Sequence, residues 1–204
     1  IQADGYLGVY FRCSGLNGSR FVGKGQSADI WSSAFAYYMD LWLSELLIAT
    51  VRDVGESESW AEVDVADVFD AVAGTIQLSA EESVGAGRSL SDALARLSAI
   101  RGDLDWVINN AAHTGRLDIN IRSNPGELVF RVCQAVSRLP GFEGIRVTFL
   151  ADEYENLAYD QQIYFNTLIR EKEAPATFLV GGLSWCIKTH RTLSAGEENK
   201  KGSE

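Results

Sequence analysis

The stretch Ile145 to Leu157, IRVTFLADEYENL, constrains the fold more than any other part of the chain. Ile145 to Ala151 is an almost unbroken apolar run, and it ends abruptly in two acids, Asp152 and Glu153. A strand open on one face alternates apolar and polar side chains, whereas a strand covered on both faces reads as a continuous run. This stretch therefore predicts a central strand with layers on either side. Sheets covered in this way are mostly parallel, and parallel neighbours need long, usually helical, crossover connections.

The rest of the chain supplies such connections. Tyr6 to Cys13 predicts a short buried strand, and a glycine-rich turn leads to Ser27, placed to cap a long helix running to about Val51. Its segment FAYYMDLWLSELLIATV is interrupted by Asp40 and Glu45, so it reads as a buried amphipathic helix in preference to a membrane span. GESES, residues 55–59, predicts a polar loop, and Val65, Val68, Phe69, Val72 and Ile76 then recur at helical spacing. A second loop, SAEESVGAGRS, precedes a helix with Leu90, Leu94, Leu97, Leu104 and Ile108 on its core face and Gly115 at its end. Asp118 to Arg122 alternates like a small edge strand.

The next helix is the best punctuated. Asn124 can cap the free amides, Pro125 sits where no amide partner is needed, and Glu127 can reach back in a capping box. Leu128, Val132, Val136 and Leu139 form its stripe, and Pro140-Gly141 stops it. A helix from Tyr159 to Glu171 and a strand at ATFLVGG complete the alternation. The predicted fold class is α/β, a three-layer core on a mainly parallel sheet. It occupies residues 1–193, with a polar tail at 194–204.

Composition narrows the function. A net charge of −10 repels phosphate, which excludes a broad basic face for nucleic acid. Cys13, Cys133 and Cys186 are odd in number and widely spaced, so neither a disulfide framework nor a zinc site is expected, and a reducing cytoplasm is. With only His113 and His190, a histidine-rich metal centre is implausible. Trp31, Trp42, Trp60, Trp106 and Trp185 are expected in the core, and Cys133 as a small buried residue.

Asp152 and Glu153 carry the chemistry. Open parallel sheets bind ligands at the carboxyl ends of their strands. One carboxylate there can hold magnesium, usually through water, and its neighbour can orient or deprotonate an attacking water. The plainer reading has the two acids opening a solvated loop or capping the next helix. Tyr154 and Asn156, which follow, either shape that turn or orient a magnesium shell.

The stretch VTFLADEYENLAYDQQIYFNTLIREKEAPATFLVGG, Val147 to Gly182, resembles P-loop ATPases of the AAA+ and STAND type, particularly origin-recognition-like AAA+ proteins. GYLGVYFRC and NPGELVF fit the same resemblance more loosely. The resemblance implies ATP and Mg2+ as cofactors, Asp152 as the magnesium-associated acid and Glu153 as the base. It implies a first sensor after the strand ending at Gly181-Gly182, with Ser184 the nearest polar candidate, whereas Lys188 and Arg191 are expected to be solvated. It also implies self-association or other domains as partners, no membrane, and DNA contacts only through another domain.

One stretch competes for the phosphate site. GSRFVGKG, Gly18 to Gly25, nearly spells G-x-x-x-x-G-K-[ST], yet glycine stands where the magnesium-binding hydroxyl belongs, and SRFV is bulky for a loop that wraps phosphate. The resemblance makes YLGVYFRC the second strand of such a core, so the working loop is expected upstream of Ile1, in an N-terminally truncated domain inactive alone. Two rivals remain: a non-catalytic nucleotide-binding or protein-interaction module, and a nuclease using the two acids as metal ligands.

Overall fold

The computed structural model describes residues 5–57, 65–77 and 87–193. Strand β1 spans Tyr6–Arg12, helix α1 Ala28–Ser57, α2 Ala66–Thr75, α3 Leu90–Thr114 and α4 Glu127–Val136. Strand β2 follows at Arg146–Asp152, then helix α5 at Tyr159–Arg170 and strand β3 at Ala176–Val180. The three strands form one sheet in the order β1-β2-β3, parallel throughout, with β2 in the middle. This is the mixed α/β core on a parallel sheet that the alternation of elements predicts.

The register sorts the sheet into two faces. Leu7, Val9 and Phe11 of β1 align with Val147, Phe149 and Ala151 of β2, and Ala176 and Phe178 of β3 continue the row; all eight are buried. The aromatic rings of Phe149 and Phe178 stack at 5.2 Å, and Phe11 meets Trp42 of α1 edge-on at the same spacing. Both connections, β1 to β2 and β2 to β3, advance in one direction across the sheet, and right-handed crossovers then lay their helices on one face. The opposite face carries Tyr6, Tyr10, Leu150 and Leu179 and stays largely open, with Tyr6 67%, Tyr10 54% and Leu179 61% exposed.

Helix α1 is the core of the helical layer, packed against α3, α4, α5 and β1. Ser27 accepts from the Ile30 amide at 3.4 Å, the cap its position predicts. Leu41, Leu43, Leu47 and Ile48 are wholly buried, and burial of each contributes about 1.5–3 kcal/mol. α1 is long and apolar enough to cross a membrane, but 78% of that window lies inside the fold.

Several boundaries differ from expectation. α1 continues through Gly55 to Ser57; the rest of the expected 55–59 loop lies outside the described residues. Asp118 to Arg122 forms no strand and pairs with neither edge of the three-stranded sheet. α4 starts at Glu127 with Gly126 in the left-handed region, φ 79°, and its regular turns stop at Val136, short of Leu139. Glu127 does reach back, accepting from the Asn124 amide at 3.2 Å, but the Asn124 side chain donates to Glu127 and caps no amide. The α3 end is as predicted, with Gly115 at φ 66°.

Trp31 is buried and Trp42 partly so, but Trp106 and Trp185 are 63% and 79% exposed, against the expectation of core tryptophans. Both sit on ends or outer faces that no described element covers. Trp60 and the tail 194–204 lie outside the described residues. Cys133 is fully buried, which pushes its thiol well up.

Candidate functional site

β2 delivers Asp152 as its last residue, and the chain then turns sharply through Glu153, which adopts φ 58°. A left-handed conformation is uncommon and costly for a residue with a side chain, about 1 kcal/mol or more, and is kept only where the surroundings fix it. Here they do. The Glu153 amide donates to Asp152 Oδ1 at 2.8 Å, and the next turn, Tyr154–Asn156, closes with Asn156 N on Glu153 O at 3.0 Å. Tyr154 drops into the core, where its hydroxyl donates to Asn166 Oδ1 at 2.8 Å, so this residue shapes the turn.

Both carboxylates lean toward the end of β1. Tyr10 donates to Asp152 Oδ2 at 3.0 Å, and Arg12 Nε donates to Tyr10 Oη at 3.2 Å. Ser14 donates to Glu153 Oε2, with Arg12 Nε 4.0 Å from Glu153 Oε1 and Asn156 Nδ2 3.4 Å from Oε2. The β1 lip thus meets the two acids with hydroxyls and one guanidinium. Arg12 is held above its ordinary range by the hydrogen bond to Tyr10 and by Glu153. Beneath the lip Cys13 is buried, and burial, reinforced by Asp152 and Glu153, pushes its thiol up to about 12.

The third side of the lip is the exit of β3. Gly181 donates to the Ala151 carbonyl at 2.7 Å, and Tyr154 N donates to the Gly181 carbonyl at 3.2 Å. A side chain at Gly181 would stand 3.3 Å from Asp152 Oδ1, and one at Gly182 only 2.8 Å from Glu155 Oε2. The two glycines let this segment pass close to the acids.

Ser184 follows in a short 3-10 turn, Ser184–Cys186, and is exposed. Among the described residues no hydrogen bond joins it to Asp152 or Glu153; its carbonyl accepts from Ile187 at 3.4 Å. Lys188 is committed elsewhere: its ammonium donates to the carbonyls of Glu155, at 3.1 Å, and Leu157. Asp152 and Glu153, singled out from the sequence, thus lie beside Tyr10, Arg12 and Ser14, which the sequence does not single out. The period-two pattern of β1 hints at Tyr10 and Arg12 sharing a face, but only the parallel register sets that face beside the acids.

Gly18 to Gly25 lies apart from the lip and is built into the helical layer. Gly18–Arg20 is a 3-10 turn, and Arg20 pairs with Asp105 at 2.5 Å. Lys24 donates to the Ile108 carbonyl at 2.8 Å with its charge 5.2 Å over the Trp31 ring. Among the described residues, no group of three or more His, Cys, Asp or Glu side chains converges to hold a metal. A cavity of about 250 Å³ opens between Phe21, Trp31, Phe35 and Asp160, away from the acid pair.

The model of the ORC-CDC6-like family matches residues 1–204. The chain belongs to the ORC-CDC6-like family. Membership relates this chain to AAA+ ATPases and suggests a nucleotide ligand. No curated protein and no solved structure was found to match it.

Proposed function

We propose that this ORC-CDC6-like chain is part of an AAA+/STAND-type core that binds and hydrolyses ATP with magnesium, driving a conformational switch in DNA transactions or in defence against mobile DNA. One observation carries the reading. Asp152 and Glu153 stand side by side where the central strand of a parallel sheet ends, the position at which such sheets bind ligands.

The donor set fits magnesium, which keeps several waters and needs only one or two carboxylates beside the phosphates. When bound, the ion would neutralise charge on the terminal phosphates. Asp152 would hold it through water, and Glu153 would orient and deprotonate the attacking water. Ser184, exposed on the turn beyond Gly182, would sense the terminal phosphate. The three free cysteines, with Cys13 and Cys133 buried, suit a reducing cytoplasm.

The phosphate grip in this reading comes from outside these 204 residues. Lys24, the nearest thing to a phosphate-loop lysine, is spent on Ile108 and Trp31. The open sheet face and the exposed edge residues Leu179 and Val180 offer a place where a further strand and helix would pack. Calorimetry on the 204-residue chain tests this. Mg·ATP should bind weakly, and micromolar affinity would overturn the external grip. Hydrolysis is tested by Glu153→Gln in the ATP-hydrolysing protein, which should bind ATP and lose turnover by about 100-fold or more. Unchanged turnover removes Glu153 from the chemistry.

A further inference from the structure

We infer that Tyr10 is a positioning residue for Asp152. The inference rests on the reading of Asp152 as the magnesium-associated acid. Tyr10 donates to Asp152 Oδ2 at 3.0 Å while the Glu153 amide donates to Oδ1 at 2.8 Å. Each carboxylate oxygen is thus pinned by one donor, from opposite sides, which fixes both side-chain torsions. A carboxylate has roughly four lone-pair sites, so about two stay free for metal-bound waters, in one fixed orientation.

The register explains why Tyr10 can do this. Arg12 aligns with Asp152 and Tyr10 with Leu150, so all four side chains stand on one face, and a tyrosine is long enough to reach one step along the strand. Arg12 Nε donates to the same phenol oxygen at 3.2 Å. A cation donating to a hydroxyl polarises it and strengthens its own donation onward. The chain Arg12 to Tyr10 to Asp152 therefore runs in one direction, and its last donor is the phenol.

Manganese serves as the probe, because it broadens nearby amide signals in proportion to occupancy. In the 15N-labelled 204-residue chain, Mn2+ should selectively broaden Asp152 and Glu153, and Asp152→Asn should abolish this. Tyr10→Phe keeps the ring and loses only the hydroxyl. It should need about three- to tenfold more Mn2+ for the same broadening, the worth of one hydrogen bond, with an unchanged melting temperature. Tyr10→Leu should match Tyr10→Phe. Tyr10→Phe behaving as wild type while Asp152→Asn loses the effect would overturn the role of Tyr10 and leave the acid pair standing. A loss that follows ring size instead of the hydroxyl would overturn it too. Broadening unaffected by Asp152→Asn would overturn both.

Discussion

Ser14 donates its hydroxyl to the Glu153 carboxylate, joining the turn after β1 to the turn after β2 across 139 residues of sequence. Glu153 also accepts from Asn156 and lies 4.0 Å from Arg12, so the side chain assigned to water is already engaged on its β1 side. A lone pair held by Ser14 is not available to a water. Ser14→Ala in the ATP-hydrolysing protein should therefore raise basal hydrolysis a few-fold while costing less than about 1 kcal/mol of stability, since the bond is exposed. Steady-state turnover and a denaturant melt read the two effects separately. A fall in turnover would mean that Ser14 aims Glu153 at the water and does not withhold it.

Much of this site was legible in the sequence, and the reason lies in β2. The run from Ile145 to Ala151 is mostly apolar and buries Val147, Phe149 and Ala151 on the covered face, so the sudden change at Asp152 marks the strand end, although the second covering layer that the run predicts is not seen among the described residues. The helix caps at Ser27 and Gly115 were legible for a similarly local reason. What escaped is set by distant partners. Tyr10, Arg12 and Ser14 reach the acids only through the register of β1 on β2. Asp118 to Arg122 has the alternation of a strand but no neighbouring strand to complete it.

The stretch that mimics a phosphate loop makes its own prediction. Gly23, Lys24 and Gly25 all have positive φ, at 66°, 53° and 79°, and the run bends the chain so that Lys24 reaches the Ile108 carbonyl on α3. Lys24→Ala should lose about 1–2 kcal/mol from the hydrogen bond and the charge over Trp31. Lys24→Gly should lose about 1 kcal/mol less than alanine, because glycine relieves the left-handed strain. Neither should change ATP affinity. Loss of ATP binding in a folded Lys24→Ala protein would return this loop to the active site.

Between α1 and α3 a charge network accompanies the apolar packing. Arg101 donates to Glu45 at 2.8 Å and to Tyr38 at 3.1 Å, and Arg20 lies over Tyr38, 4.6 Å from its ring centre. Burial pushes the Glu45 carboxyl up and Arg101 pulls it back. The Glu45 side chain is only 12% exposed, so Arg101→Met should leave a nearly buried acid without its counter-ion and cost about 2–4 kcal/mol. Adding Glu45→Gln should recover a good part of that loss, since the unpaired charge goes with it. Additive losses in the double variant would show that Arg101 stabilises through its packing on Tyr38.

Asp40 sets the pH dependence. It lies in the middle of α1, fully buried, and accepts from the Gly126 amide at 2.6 Å and from Tyr164, so one carboxyl ties α1 to the start of α4 and to α5. Burial, with a smaller push from the charge of Glu127, raises it from 3.8 to about 7, more than the donors Tyr164 and Gly126 offset. An acid raised on folding binds its proton more tightly in the folded state, so its contribution is fully present below 3.8 and is lost as the pH climbs to about 7. Stability should decline over that window and level off above it. In Asp40→Asn the decline should flatten, because nothing at this position titrates, while one of the two donors now faces an amide N–H and the protein loses about 1–3 kcal/mol near the low end of the window. Urea melts across the window for both proteins measure the slopes. An Asp40→Asn slope equal to that of the wild type would place the titrating group elsewhere.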